Sequence, residues 1–216
     1  MSLVVVVGTG TEIGKTTFTV ALTSTLRARG ANIAAWKPIE TGPGSDAAAL
    51  SEAAGVTLAP RFRFDEPISP HLAARHAGTA IRIGPIVDLA TKLRAEHELL
   101  LLETAGGLFS PLDDDGATNA SLVAALAPER IILVAPNRLG VLHDVTAATI
   151  AAGTLGLAIQ HCVLSSVGAA DDPSRATNAA ELVRLRALHV KPWHREEPLD
   201  GEWLDELLGG LRPSSR

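Results

Sequence analysis

The chain has 216 residues, 46% of them hydrophobic and 20% charged, with a net charge of −5, which suits a folded α/β protein with a full core and excludes a disordered or highly charged chain. The acidic balance argues against a nucleic-acid partner, whose binders present a basic face, and the lone Cys162 excludes an internal disulfide or a multi-thiolate metal site. No basic leader precedes the first strand-like segment and no uninterrupted run of about 18 apolar residues occurs, so a cytoplasmic location without a membrane partner is expected.

Residues 3–7 are continuously apolar, as a parallel strand covered on both faces must be. Residues 16–29 then follow with helical spacing and close at Gly30. The same alternation continues along the chain. Strands are expected at 33–36, 99–102, 131–135 and 158–164. Helices are expected at 46–54, 119–127, 141–152, 175–188 and 201–211, and around Ile86, Leu89, Ala90 and Leu93, which fall at i, i+3, i+4 and i+7. This order predicts an α/β fold of the P-loop NTPase kind, a mostly parallel sheet with helices on both faces. One domain is expected over residues 1–211, with 212–216 a frayed tail.

Gly8-Thr9-Gly10-Thr11-Glu12-Ile13-Gly14-Lys15-Thr16-Thr17 joins the first strand to the first helix. A phosphate needs several convergent N–H donors, which a glycine-rich turn and a helix N-terminus supply together. By chance, about one chain in ten of this length carries Gly-Lys-Ser/Thr, so it is the placement between strand and helix that makes the motif informative. Lys15 is expected to reach the β- and γ-phosphates and Thr16 to ligate Mg²⁺. The common loop has glycine where this chain has Thr9.

Ligands of an open α/β sheet sit beyond the carboxyl ends of its strands. There the second strand ends in Lys37-Pro38, where Pro38 leaves Lys37 facing the crevice, and the third delivers Glu103 toward the magnesium. Asp46, at a helix start, reads by itself as an N-cap. Asp113-Asp114-Asp115-Gly116 reads as a solvated turn, Cys162 as a buried small hydrophobe, and the seven histidines have no zinc-type spacing.

Taken together, the loop, Lys37-Pro38-Ile39-Glu40-Thr41-Gly42, Ser45-Asp46-Ala47, Ser69-Pro70-His71 and Glu103-Thr104-Ala105-Gly106-Gly107 resemble the dethiobiotin synthetase family, and the order continues through Leu139-Gly140 to Lys191-Pro192-Trp193. The resemblance implies a homodimeric P-loop ligase that uses Mg-ATP to join CO₂ to 7,8-diaminononanoate. It implies a magnesium site of Thr16, Asp46 and Glu103, which replaces the capping reading of Asp46. Lys37, Lys15 and Thr11 become the catalytic set, and Thr41, Gly140, Val141 and His143 substrate contacts. Nucleotide contacts are implied at Glu12, Ile13, Gly14, Lys15, Thr16, Thr17, Glu103, Thr104, Ala105, Gly106, Ser165, Lys191, Pro192 and Trp193.

Three departures carry expectations of their own. Thr104 replaces a glycine and is expected to narrow the backbone's approach to ligand. Ser165-Ser166 replaces an Asn-Asp pair beside the adenine, which predicts relaxed base selectivity because serine reaches less far. His143-Asp144 replaces Asn-His, and Asp144 has the wrong charge for a substrate carboxylate unless it points away. Two rivals use the same scaffold: an amide- or cyclo-ligase of another pathway, and a partitioning-type ATPase. The second usually carries an early signature lysine where this chain reads Gly8-Thr9-Gly10.

Overall fold

The computed structural model describes residues 1–167, 171–195, 197–199 and 201–208. In chain order its elements are β1 (Ser2–Gly8), α1 (Lys15–Ala28), β2 (Ile33–Trp36), β3 (Ile39–Thr41), α2 (Asp46–Ala54), β4 (Phe62–Phe64), α3 (Pro70–His76), α4 (Ile83–Glu96), β5 (Leu99–Glu103), α5 (Asn119–Leu126), β6 (Arg130–Pro136), α6 (Val141–Thr154), β7 (His161–Ser165), α7 (Asn178–Arg186), β8 (His189–Trp193) and α8 (Gly201–Leu208).

Among the described residues, six strands form a parallel sheet in the order β2-β5-β1-β6-β7-β8. β1 lies inside it, with Val4 opposite Leu101 of β5 on one side and Arg130 of β6 on the other. Its apolar run is divided between the two faces by the alternation of a strand. Val4 and Val6 pack with Phe18, Leu22, Leu50 and Leu204. Leu3, Val5 and Val7 pack with Ile86, Leu122 and Val145 on the opposite face. Burial of each such side chain contributes roughly 1.5–3 kcal/mol, so a strand apolar at every position is held only where helices cover both faces.

All five expected strands are present, and so are the expected helices, with two differences. In the 175–188 stretch, Asp172 accepts hydrogen bonds from Ser174 N–H and its hydroxyl. That caps a 3₁₀ turn at Pro173–Ala176, and α7 starts only at Asn178. The last helix is described as far as Leu208; its expected end and the expected frayed tail at 212–216 lie outside the described residues. β3, β4, α3 and β8 have no counterpart among the expected elements. β3 and β4 form a separate two-stranded parallel sheet, with Glu40 opposite Arg63.

Candidate nucleotide and metal site

β1 and α1 present the loop at the carboxyl edge of the sheet. A Cβ at Gly8 would fall 2.7 Å from Ile13 Cδ1 and 2.9 Å from Lys15 Cδ, because the loop folds back over the strand end. Gly14 is the N-cap of α1 at φ 89°, a left-handed conformation glycine adopts without strain. Glu12 takes a left-handed φ of 56° without being glycine, a conformation that costs about 1 kcal/mol and persists where the surroundings enforce it. Thr9, at the common glycine position, is held through its backbone, N–H to the Val134 carbonyl at 3.1 Å. Lys15 Nζ donates to the Gly10 carbonyl at 2.7 Å.

Four ionisable groups meet beside the loop. Glu103, wholly buried at the end of β5, accepts on Oε1 from Thr16 Oγ1 at 2.7 Å and from Lys37 Nζ at 3.0 Å. Lys37 also pairs with Asp46 at the start of α2. Burial pulls the Lys15 ammonium down to about 8; the attraction of Glu103 offsets only part of that, and Lys37 adds to the lowering. Burial acts on Lys37 in the same direction, but Glu103 and Asp46 outweigh it and hold its ammonium above the ordinary lysine value. For Asp46, desolvation is outweighed by the Lys37 hydrogen bond and charge, and its carboxyl lies below the usual range. Asp46 is therefore not a cap: α2 has Ser45 as N-cap, and neither the Ser45 nor the Asp46 side chain closes it.

Among the described residues, Glu103 Oε2 is buried without a hydrogen-bond partner, a costly state for a carboxylate oxygen. With the Thr16 hydroxyl on the same carboxylate and Asp46 one ion pair away, the donors are all oxygen, the set a hard divalent cation takes. The site fits magnesium. Among the described residues no group of three His, Cys, Asp or Glu converges; a threonine would have to supply the third oxygen.

A cleft of about 460 Å³ opens beside Lys37 and Asp46, lined by Thr11, Glu12, Thr41 and Gly106 among others, within the range of small-ligand sites. Its walls use side chains to which the sequence reading gave no role. Glu40 accepts from Ala47 N–H at 3.2 Å and pairs with Arg63. Asn119, buried at the start of α5, donates to the Ala105 and Gly107 carbonyls at 2.6 and 2.8 Å and holds the turn after β5. Asn and Glu after an apolar run carry no distinctive spacing, and only the loop positions around them hinted at this wall.

Several expected contacts are placed elsewhere. Ser165 is 1% exposed and its Oγ donates to the Ile13 carbonyl at 2.5 Å, so it supports the loop from below and presents no hydroxyl to a base. The Trp193 ring is a core residue, edge-on to Phe18 at 5.6 Å with Nε1 donating to the Glu197 carbonyl. Lys191 lies near Trp203, and Pro192 continues β8 at the sheet edge. Thr104 does not narrow the cleft: it is 1% exposed, with N–H and hydroxyl both on the Val6 carbonyl. Gly140, Val141 and His143 begin α6 and do not line the cleft; Val141 is fully buried. Asp144 pairs with Arg138 at 2.9 Å, which neutralises the unfavourable charge. Asp113 accepts from Asp115 and Ala117 N–H within an exposed turn, and burial pushes the Cys162 thiol up to about 12, as expected of both.

A phosphate-type loop between a parallel strand and a helix, beside paired ammoniums and an oxygen-donor set, defines a P-loop α/β nucleotide-binding protein. The fold is similar to that of the signal recognition particle receptor FtsY from Elizabethkingia anophelis in complex with GDP, at a TM-score of 0.57 and 15% identity, covering all of this chain and 64% of that one. A family model described as an AAA domain matches residues 3–193. The chain is 37% identical to an ATP-dependent dethiobiotin synthetase of Streptomyces coelicolor, over 84% of this chain and 79% of the relative. It is 36% identical to that of Rhodococcus erythropolis, over 86% and 84%, and 35% identical to that of a Caulobacter species, over 100% and 98%. The chain belongs to the dethiobiotin synthetase family.

Proposed function

We infer that this chain is an ATP-dependent dethiobiotin synthetase, a ligase of biotin synthesis whose substrates are 7,8-diaminononanoate, CO₂ and Mg-ATP. The observation that carries the reading is the Lys15, Lys37, Asp46 and Glu103 cluster at the mouth of the phosphate loop. In the reaction one amine adds to CO₂ to give a carbamate. A carbamate oxygen bonds to the γ-phosphorus as its bond to the β–γ bridging oxygen breaks, releasing ADP. The second amine attacks the carbamoyl carbon, phosphate leaves, and loss of the amine proton gives the cyclic urea.

Negative charge spreads over the phosphoryl oxygens in the second step, and the two ammoniums stabilise it electrostatically without a nucleophilic side chain. Lys15 turns from the Gly10 carbonyl to the phosphates, while Lys37 stays fixed between its two carboxylates and faces the reacting groups. Thr16, Asp46 and Glu103 would hold the magnesium, which when bound neutralises phosphate charge. Thr41 and Thr11 line the diamine side of the cleft. A closed cleft protects the mixed anhydride from water.

Gly140 and His143 belong in this reading to the substrate site of a second copy. α6 supports it: Leu139 before it and Ile150 within it are exposed, and Asp144, the only charged residue of the helix, is paired internally. A homodimer would cover that face. A cytoplasmic enzyme is consistent with the buried reduced Cys162; no helix among the described residues is long and apolar enough to cross a membrane. The deciding assay supplies Mg-ATP, the diamine and bicarbonate and detects the cyclic urea by mass. Product dependent on all three is expected, and none above a no-enzyme blank would remove the assignment.

A further inference from the structure

Helix α2 begins without a cap of its own. The first amides of a helix have no intrahelical acceptors, yet Ser45 makes no side-chain hydrogen bond and Asp46 reaches away to Lys37. The missing acceptor comes from β3. Glu40, 2% exposed, accepts Ala47 N–H on Oε1 and engages Arg63 through Oε2, and Arg63 Nη2 donates to the Gly44 carbonyl at 3.0 Å. Arg63 is the cross-strand neighbour of Glu40 in the two-stranded sheet. A buried carboxylate is tolerated where both oxygens are engaged, and here both are. The pair holds the backbone of residues 44–47 at both ends, Gly44 through its carbonyl and Ala47 through its N–H.

We propose that Glu40 is a positioning residue: clamped by Arg63, it caps α2 in place of Ser45 or Asp46 and so leaves the Asp46 carboxylate facing Lys37 and the nucleotide-bound cation. This inference rests on the reading of Thr16, Asp46 and Glu103 as the cation site. It gives the β3–β4 sheet a purpose, since that sheet brings the two halves of the clamp together. Residues that orient a ligand without touching the metal typically change its affinity by about 10–100-fold when removed.

The test is titration of Mn²⁺ into the full chain with ATP and no diamine, with free Mn²⁺ read by electron paramagnetic resonance. Glu40→Ala is expected to weaken Mn²⁺ binding about tenfold or more, with metal-free ATP binding unchanged and faster hydrogen exchange at Ala47. Glu40→Gln, whose amide oxygen still accepts from Ala47 N–H, retains most of the affinity. Arg63→Ala removes the clamp from a half-exposed side chain and carries the same expectation should Glu40→Ala not fold. Loss of affinity in Asp46→Asn with none in the folded clamp variants overturns the proposal alone; unchanged affinity in Asp46→Asn overturns the cation-site reading and the proposal with it.

Discussion

Two polar clusters lie along the same edge of the sheet, and they differ in how far the protein satisfies its own groups. At the ends of β6 and β7, Asn137 N–H donates to the Ser165 carbonyl, Asn178 donates to Asn137 Oδ1 at 2.9 Å, Asp172 accepts from Leu139 N–H, and Arg138 pairs with Asp144. At the ends of β1, β2 and β5, two lysines and two carboxylates are pressed together, Lys15 is drawn down to about 8, and Glu103 Oε2 has no partner among the described residues. The first cluster ties loops; the second leaves a buried carboxylate oxygen unbonded among the described residues. Buried polarity marks a ligand site where the internal bonds run short.

The sharpest way to break this comparison is Lys37→Ala. It leaves Asp46 and Glu103 without the ammonium between them, and the rate of cyclic-urea formation is expected to fall about 10²–10³-fold. A variant at the wild-type rate would make the cluster structural.

Next comes pH. Phosphate binding favours charged Lys15, whose value in the free protein is about 8. Below that pH the charge is already present; above it each binding event must take up a proton, so ATP affinity falls by about tenfold between pH 7.5 and pH 9. Calorimetry in buffers of different ionisation heat should detect that uptake, and Lys15→Met should remove it.

The smallest functional effect belongs to the other cluster. Asn178→Ala strips the donor from the buried Asn137 amide and is expected to cost about 1–3 kcal/mol in urea denaturation, while ATP affinity stays unchanged. A matching loss of ATP affinity would erase the distinction between the two ends of the edge.

Much of the frame was legible in the sequence because it rests on local signals. The run 3–7 is apolar at every position, and Gly14-Lys15-Thr16 follows it at a strand-to-helix junction. The floor of the cleft was legible for a related reason: Glu103 and Lys37 end apolar strands, where a charge stands out. β3 and β4 were not, since three residues each give no periodicity and their partner lies 23 positions away. Asp46 misled by itself because a capping acid and one turned to an ion pair look alike at a helix start, and Glu40, which accepts the Ala47 amide, contacts α2 only in three dimensions. Ser165 and Trp193 fall at positions where the resemblance implies nucleotide contacts, but sequence register does not record which way a side chain turns, and both turn inward.

The contact between Lys15 and the Gly10 carbonyl means that an incoming polyphosphate competes with a partner carried by the chain itself. Net affinity is then a difference between two occupancies of one ammonium, and product can leave as the lysine returns to its internal acceptor. The turn thus carries its own acceptor for the cation it would offer to phosphate.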